Sequence, residues 1–491
     1  MLTNEELVKI GFEKQREGKL EEAESAYNEV ISNGGDSAEV CNLYAVLKLQ
    51  QDDVNSAIEF AKKAVEKVSD AYYYETLCQA YIRNNNFKEI AEFENIINEK
   101  FADKFELVFN LALAFKNLNE NRKAIDYYKK ALEIDPNAYQ AWFNLAHLYS
   151  VEAEAENAVS ALKKCLEIRP DDIDTEYFLS LALMRTKDYE NGLKYFERRL
   201  CRETAIALQN KTYPNKARVS NLWKGEDICD KTLYVYYEAG FGDTIMFSRY
   251  LQLAARRCFR LVFMPQKQLS QLFLENRQLE IEEIVDKYLP ETDIDFDVHA
   301  PLLSLPYILG LKDDKVFVRS SGYLQADDEK SWEYREKYFN NVKYKIGIKW
   351  QGNTYYDQDR VIPTETFIPL TQLENTQVYS FQTFEGSEEA AKLGNAIDIG
   401  KNLTDFSQTA AALSNLDLVI CNDTSLAHLA GAMGIPCWII LPYEVNWRWH
   451  TDLSVCDWYD SVRLFRQKTP GDWNSVFNEI MEELKPMIPQ W

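Results

Sequence analysis

The sequence predicts an array of paired α-helices over its first two hundred residues, followed by two facing α/β lobes built on parallel sheets. The first observation is a pattern of small and large apolar residues that recurs every 34 residues. The second is a series of short apolar runs, typical of buried parallel strands, separated by helical stretches. The third is a pair of polar turns, each of which follows such a run and opens a helix.

The repeat is clearest before Pro136 and Pro170, which lie 34 residues apart. Small residues let the two helices of a pair approach, and large ones fill the gap to the next pair, so the pairs stack into a superhelix. This pattern resembles the tetratricopeptide repeat, whose arrays usually present a concave surface to a peptide or protein. We expect the array over residues 1–201. Its six copies begin near Asn4, Ala38, Ala71, Phe105, Tyr139 and Ile173.

Composition narrows the class of protein. A chain of 491 residues is too long for one hydrophobic core, and 46% hydrophobic with 27% charged residues is an ordinary soluble composition. The net charge of −23 argues against broad nucleic-acid binding or docking on anionic membranes. The 9 cysteines are scattered, which favours reduced thiols and a cytoplasmic location. We expect no signal peptide at Met1 and no membrane-spanning helix.

The first α/β lobe is expected over residues 231–330, after a linker or docking segment at 202–230. Apolar runs predict strands at 232–237 and 260–264, with a helix at 244–257 between them. Shorter strand candidates lie at these ranges: 281–285 and 294–298.

The second lobe is expected over residues 331–491. Helical stretches separate its apolar runs, so the expected result is a parallel sheet with helices on both faces. Its predicted strands are 344–350, 377–381, 396–399, 416–421 and 436–441.

Two turns have the position and chemistry of ligand sites. Ligands of such sheets bind at the carboxyl ends of strands. The turn that contains Gly240, Gly242 and Asp243 follows one strand, and the turn that contains Asp423 and Thr424 follows another. A helix N-terminus offers free N–H groups and a positive dipole end to a diphosphate.

Several short motifs between residues 231 and 473 carry a family resemblance. They are 240–250, 301–306, 350–353, Arg360, 423–432, 447–449, 465–467 and 471–473. In these motifs the chain resembles the ADP-heptose:lipopolysaccharide heptosyltransferase superfamily, especially its variants fused to tetratricopeptide repeats. The layout is similar to that of O-GlcNAc transferase. The resemblance implies a GT-B fold of two Rossmann-like lobes and an inverting transfer from a nucleotide-diphosphate sugar, without a metal or other cofactor.

In the resembled family, the aspartate at the position of Asp243 is the catalytic base. A carboxylate suits this role because the acceptor hydroxyl loses its proton as it attacks the sugar carbon. The alternative is that Asp243 caps the helix that follows. A dinucleotide-binding motif at Gly240 and Gly242 is a weaker interpretation, since the third glycine is missing.

The resemblance also implies a donor site in the second lobe. Thr424 and the neighbouring N–H groups, including that of Ser425, would hold the diphosphate, and Asp423 would hold sugar hydroxyls. An ordinary helix cap at Asp423 and Thr424 is the alternative. His428 is either near the donor or a buried structural histidine.

Five further residues are donor-site candidates with structural alternatives. Arg360 suits a pyrophosphate, although Val361 stands where the family usually has serine. Gly352 allows a ligand near the backbone, and Asn353 follows it. Trp350 is equally suited to the core, and Arg448 either contacts the donor or makes a cation–π contact between two tryptophans.

Alternating acids at Asp293, Asp295 and Asp297 resemble a metal site, but their pattern is that of a strand with one solvated face. We therefore predict no metal site there, and none at Asp357 and Asp359.

The sequence thus predicts a glycosyltransferase whose acceptor is a protein that the repeats recruit. The alternative is a catalytically inactive repeat scaffold for protein–protein interaction. The donor sugar, its nucleotide, the oligomeric state and a lipid or glycan as acceptor stay open.

Overall fold

The structure is a computed structural model that describes residues 2–202, 221–285, 295–318, 322–352, 358–450, 454 and 456–489. The chain forms two compact units, Met1–Pro170 and Asp171–Trp491.

The first unit is a stack of helix pairs. Small residues sit where helices touch: a Cβ atom on Gly11 would lie 2.6 Å from Cε1 of Tyr27, so only glycine fits there. All five helix pairs begin at the predicted residues, and in the third pair the second helix is split in two. The helices are α1 Asn4–Arg16, α2 Leu20–Ser32, α3 Ala38–Gln50, α4 Val54–Lys67, α5 Ala71–Arg83, α6 Phe87–Ala91, α7 Glu94–Lys100, α8 Phe105–Asn117, α9 Asn121–Ile134, α10 Tyr139–Val151 and α11 Ala155–Ile168.

The sixth predicted pair is present as α12 Ile173–Arg185 and α13 Tyr189–Phe196, and a 3₁₀ turn at Glu197–Cys201 follows it. This pair belongs to the second compact unit, although the sequence places it with the other repeats. Of the predicted segment 202–230, residues 203–220 lie outside the described residues.

The second unit contains two parallel sheets. The first has the order β3-β2-β1-β4, with β1 Ile228–Tyr236, β2 Cys258–Met264, β3 Glu283–Ile284 and β4 Val298–Pro301. The strand expected at 294–298 begins only at Val298. The helix expected at 244–257 is two helices, α14 Phe241–Phe247 and α15 Leu251–Ala255, because a 3₁₀ turn at Ser248–Tyr250 separates them.

The second sheet has the order β10-β9-β8-β5-β6-β7, and all its pairs are parallel. The five predicted strands are found, and a sixth was not predicted. Its apolar run is interrupted by Arg463, whose guanidinium pairs with Glu483. The strands are β5 Tyr344–Lys349, β6 Thr376–Ser380, β7 Ile397–Asp398, β8 Leu418–Asn422, β9 Cys437–Leu441 and β10 Val462–Arg466.

Helices cover both sheets and complete the doubly wound arrangement. They are α16 Lys267–Glu275, α17 Leu305–Ile308, α18 Asp328–Tyr338, α19 Ile368–Thr371, α20 Phe406–Leu413, α21 Ser425–Met433 and α22 Trp473–Leu484.

Both sheets change winding direction beside their first strand. In the first sheet β1 lies between β2 and β4, and in the second β5 lies between β6 and β8. At this point the loops that follow two adjacent strands leave the sheet toward opposite faces. Their divergence opens a crevice at the carboxyl edge of the sheet. The topology therefore places a ligand site next to β5 and β8.

A buried ion pair fixes the turn after β1. Arg199 donates from Nη2 to Glu238 Oε1 (2.7 Å) and from Nε to Oε2 (3.1 Å). Glu238 Oε1 also accepts the backbone N–H of Leu303 at 3.0 Å, and Arg199 donates to Ser304 at 2.8 Å. The Arg199–Glu238 ion pair thus joins the segment after the sixth helix pair to the loops after β1 and β4. The Gly240–Asp243 turn belongs to the loop after β1.

Replacing Glu238 by Gln is expected to lower the free energy of unfolding of the second unit by about 1–3 kcal/mol, because it removes one of the two carboxylates, Glu238 and Glu197, that pair with the buried Arg199 guanidinium. Urea denaturation followed by tryptophan fluorescence measures this, since every tryptophan except Trp142 lies after residue 170. The control is Glu280→Gln at the exposed Arg256–Glu280 pair, where we expect a loss under about 1 kcal/mol. Equal losses would contradict the anchoring role.

Candidate functional site

A cavity of about 640 Å³ lies in the second unit at the carboxyl ends of β1, β5, β6 and β8. This volume is in the range of small-molecule and cofactor sites. Both predicted ligand turns line it. Ten of the predicted site residues are among its lining residues: Gly240, Gly242, Asp243, Gly352, Arg360, Asp423, Thr424, Ser425, His428 and Arg448.

One other predicted site residue, Trp350, does not line the cavity. Trp350 is completely buried in the hydrophobic core, with its ring 6.3 Å from that of Phe367. It points away because successive side chains of a strand alternate between faces, and its neighbours Lys349 and Gln351 line the cavity. Asn353 lies outside the described residues.

Asp243 lies in the first turn of α14 with both carboxylate oxygens in use. Oδ2 accepts the N–H of Gly240 at 3.1 Å, which closes the start of the helix, and Oδ1 pairs with Nη2 of Arg448. The capping contact considered as the alternative is therefore present. The carboxylate also lines the cavity, with 22% of the side chain exposed, so capping leaves it accessible to a ligand.

The start of α21 forms the opposite wall. Thr424 occupies the N-cap position with an extended backbone, but its side chain makes no capping hydrogen bond. Its hydroxyl instead lies 3.4 Å from the carbonyl oxygen of Asn422. The first-turn N–H groups of a helix have no intrahelical acceptors, and here no side chain caps them. This arrangement suits an anionic ligand.

Asp423 holds Arg360 at the same wall. The two side chains meet at 3.1 Å between Oδ2 and Nη1, and the carbonyl oxygen of Arg360 accepts the Asn422 amide at 3.0 Å. The loop that carries Arg360 is thereby fixed beside β8, and the guanidinium lines the cavity.

His428 is a buried, uncharged side chain between the two walls. Its ring stacks on Trp449 at 5.4 Å, and Nδ1 lies 2.9 Å from the hydroxyl of Tyr459. Burial lowers the pKa of His428 to about 4, so the ring is neutral at pH 7 and contributes no positive charge to the site.

Gly242 has its place because of His428. A Cβ atom at residue 242 would lie 2.7 Å from Cδ2 of that ring. The glycine therefore permits the close approach of α14 to α21. This packing role explains Gly242 without a dinucleotide-binding motif.

Arg448 reaches the cavity from the loop after β9. Its Nη1 donates to the side-chain oxygen of Asn446 at 2.8 Å, and its guanidinium lies 4.8 Å from the ring centre of Trp447. The cation–π alternative is thus present, on Trp447 alone of the two neighbouring tryptophans, and another side of the guanidinium pairs with Asp243. Contact with a donor stays a prediction.

Lys349 was not predicted as a site residue. It ends β5, is 8% exposed and lines the cavity. Burial lowers the pKa of its amine from 10.5 to about 8. The sequence carried a signal, namely a charged residue at the end of the apolar run that starts at Tyr344.

Phe384 was also missed. It follows β6, lines the cavity and is 85% exposed, with a left-handed backbone (φ 56°). Nothing in the sequence around it marks an unusual backbone, so the sequence offered no signal.

One of the rejected metal candidates, Asp297, has a backbone partner. Asp297 accepts the N–H of Thr232 at 2.7 Å, next to the pairing of β1 with β4. Asp293 and Asp357 are not among the described residues. Within the described part of the chain, no three His, Cys, Asp or Glu side chains group as a metal site would require. Independence from metal stays a prediction.

Among the described residues, no helix is both long enough and apolar enough to cross a lipid bilayer.

Three family models match parts of the chain. Two describe the tetratricopeptide repeat, at residues 107–138 and 127–159. The third describes glycosyltransferase family 9 (heptosyltransferase) and matches residues 387–439, which include β8, all of α21 and the first residues of β9.

Two curated relatives each match part of the chain. The photosystem I assembly protein Ycf3 of Acaryochloris marina is 33% identical over 79 residues, which are 16% of this chain and 48% of that protein. Protein FlbA of Caulobacter vibrioides is 23% identical over 295 residues, 54% of this chain and 48% of that protein. The chain thus spans about half the length of the curated relatives it matches.

Solved structures match the repeat region. YrrB, described as a tetratricopeptide-repeat protein with an unusual peptide-binding site, is 21% identical with a TM-score of 0.32, covering 36% of this chain and 91% of that one. PilF of Pseudomonas aeruginosa is 15% identical with a TM-score of 0.35, covering 42% of this chain and 90% of that one.

Replacing Lys349 by Met is expected to raise the free energy of unfolding of the second unit by about 3 kcal/mol at pH 7, because the folded state there holds a buried ammonium. Below pH 8 folded and unfolded chains both carry the charge, so the penalty is complete. Between pH 8 and 10.5 the folded chain releases its proton first, so the penalty shrinks as pH rises, to less than half by about pH 9.5.

Urea denaturation of both proteins at pH 7 and 9.5 measures the difference. Lys345→Met, at the opposite end of the same strand, is the control and is expected to change stability by less than about 0.5 kcal/mol. A gain that does not depend on pH would show that the buried charge is not its cause.

Proposed function

We propose that this chain, in which tetratricopeptide repeats precede a glycosyltransferase family 9 domain, transfers a sugar from a nucleotide-diphosphate sugar to an acceptor hydroxyl. One observation carries the proposal. A carboxylate from the first lobe, Asp243, and the uncapped start of α21 from the second lobe, at Thr424, line one cavity. A base and an anion seat on facing walls are what such a transfer needs.

The donor is proposed to lie against the second lobe. Its diphosphate binds at the N–H groups of Thr424 and Ser425, with Arg360 and Arg448 as the arginines within reach. Asp423 accepts hydrogen bonds from sugar hydroxyls. His428 closes the wall as a neutral ring, so the arginines and the helix end balance the charge of the diphosphate.

The transfer is a displacement at the anomeric carbon. The acceptor oxygen forms the new bond to that carbon, and the bond from the carbon to the diphosphate oxygen breaks. The electron pair of the broken bond goes to the diphosphate, and the acceptor proton goes to Asp243. Attack from the side opposite the diphosphate inverts the anomeric configuration.

The Asp243–Arg448 contact fits this sequence of events. When a diphosphate is bound, it competes with Asp243 for the Arg448 guanidinium, since arginine pairs with phosphate as readily as with carboxylate. The carboxylate then has an oxygen available for the acceptor proton. Donor binding would thus prepare the base.

The acceptor is proposed to be a protein in the cytoplasm, recruited by the repeats of the first unit. Stacked helix pairs provide an extended surface for a polypeptide, and this architecture supports an acceptor of that class. The choice of acceptor rests on architecture, whereas the choice of reaction rests on the cavity.

A panel of nucleotide sugars tests the reaction, with release of nucleoside diphosphate as the readout. Asp243→Asn is expected to lower turnover by about 10²–10⁴-fold without abolishing nucleoside diphosphate binding. Asp230→Asn, at an exposed position of β1 in the same lobe, is the matched control and should retain full turnover. Equal turnover by Asp243→Asn and the native protein would refute the base, and failure to bind any nucleotide would favour a repeat scaffold.

Removal of divalent metal is expected to leave turnover unchanged, because arginines and a helix N-terminus are proposed to balance the leaving diphosphate. The measurement compares the initial rate after dialysis against EDTA with the rate after adding back Mg²⁺ or Mn²⁺. A rate that falls on chelation and returns with either ion would contradict metal independence.

A further inference from the structure

Lys349 occupies the point where the second sheet changes winding direction. It ends β5, which lies between β6 and β8, and its backbone pairs with that of Cys421 in β8. The loops after β6 and β8 diverge on either side of it. Lys349 is therefore at the bottom of the crevice in which sheets of this kind bind ligands.

The charge of Lys349 has no counterion among the residues that the structure describes. Its Nζ lies 3.3 Å from the Thr383 hydroxyl and 3.5 Å from the Phe381 carbonyl oxygen, and both are neutral. Among the described residues, no carboxylate lies within 4.0 Å of it. The other cations of the cavity differ, because Arg360 and Arg448 each pair with an aspartate. An ammonium that is nine-tenths buried without an anion is costly unless a ligand provides one.

Phe384 lies next along the same edge. A phenylalanine ring that is 85% exposed loses the stabilisation of burial, and a left-handed backbone at a residue with a side chain adds strain of about 1 kcal/mol or more. Both features place the ring at the cavity rim, where a flat ligand can stack on it.

The order of strands sets the spacing of these groups. From β8 to β5 to β6 the edge presents the start of α21, then Lys349, then Phe384. Neighbouring strands are about 4.8 Å apart, so the three strand ends from which these groups extend span roughly 10 Å. This is the length over which a diphosphate continues into a ribose and base.

We propose that Lys349 and Phe384 form the nucleoside-diphosphate end of the cavity, with the Lys349 ammonium bound to the diphosphate and the Phe384 ring stacked on the nucleobase. The inference rests on the proposed function. It adds two residues to the donor site and orients the donor, with its base over β6 and its sugar toward Asp243.

A test of the Lys349 contact by pH requires that the titration of Lys349 be distinguished from that of its neighbours. Cys421 faces it from β8, while Asp405 and Glu385 line the cavity beyond Thr383. Carboxylates are ionised throughout the alkaline range, and so is a terminal phosphate, whose second pKa is about 6. Lys349 and the Cys421 thiol are therefore the groups to separate.

Calorimetric titration of the full chain with ADP, GDP, UDP and inorganic pyrophosphate at pH 7 tests the proposal. Lys349→Met is expected to weaken the preferred nucleoside diphosphate and pyrophosphate at least about tenfold, because each loses a charge-assisted bond. Phe384→Ala is expected to weaken the nucleoside diphosphate at least about fivefold and to leave pyrophosphate unchanged, since pyrophosphate has no ring to stack.

Two matched variants control for general damage. Lys345→Met removes a lysine from the other end of β5, and Phe259→Ala removes an aromatic ring that is 78% exposed in the first sheet. Both are expected to bind like the native protein. Lys349→Met is expected to fold, since it replaces a buried charge by an apolar side chain of similar size.

A pH series separates ligand contact from a structural effect. Native affinity for the nucleoside diphosphate is expected to fall about tenfold between pH 7 and 9.5, as the Lys349 amine, with a pKa of about 8, loses its proton. Lys349→Met should show no such fall, and Cys421→Ala should keep it.

The possible results have separate meanings. If the native protein binds a nucleoside diphosphate and Lys349→Met binds it equally well, this inference is wrong and the proposed function stands. Equal loss of nucleoside diphosphate and pyrophosphate in Phe384→Ala would overturn the stacking. If the native protein binds none of the probes, the proposed function fails as well.

Discussion

The contact between Gly242 and the His428 ring is the constraint on which the site depends. Because residue 242 has no side chain, α14 approaches α21 until a Cβ atom would lie 2.7 Å from the imidazole. Stacking on Trp449 and the contact with Tyr459 hold the ring from the other side. This packing places Asp243 opposite the start of α21. A larger residue at position 242 would separate the two walls of the cavity.

The cavity holds side chains of both charges in a protein whose net charge is −23. Two arginines and a buried lysine line it together with four carboxylates, those of Asp243, Glu385, Asp405 and Asp423. Each arginine has an aspartate partner, and the lysine has neutral oxygens instead. In the proposed binding mode the arginines change partners when an anion binds, whereas Lys349, which has no counterion among the described residues, gains one. The end of β5 is therefore where we expect an anion to be stabilised most.

Much of this architecture could be predicted from the sequence, because its signals are local. Repeat spacing gave the start of every helix pair, and apolar runs marked most strands. The pairing of Asp243 with Arg448 could not be predicted, the sequence left the choice between core and site open for Trp350, and it marked Lys349 only as a charge at the end of an apolar run. These three positions depend on which strands lie side by side and which face of a strand a residue occupies, and sequence neighbours such as Lys349 and Trp350 differ only in that respect.

A crystal structure of the protein with its preferred nucleotide sugar tests the central claim most directly. The account predicts the diphosphate at the first turn of the Ser425–Met433 helix, within hydrogen-bond distance of the Lys349 amine, with the anomeric carbon facing the Asp243 carboxylate. A donor bound with its diphosphate outside this cavity, or with its sugar directed away from Asp243, would contradict it.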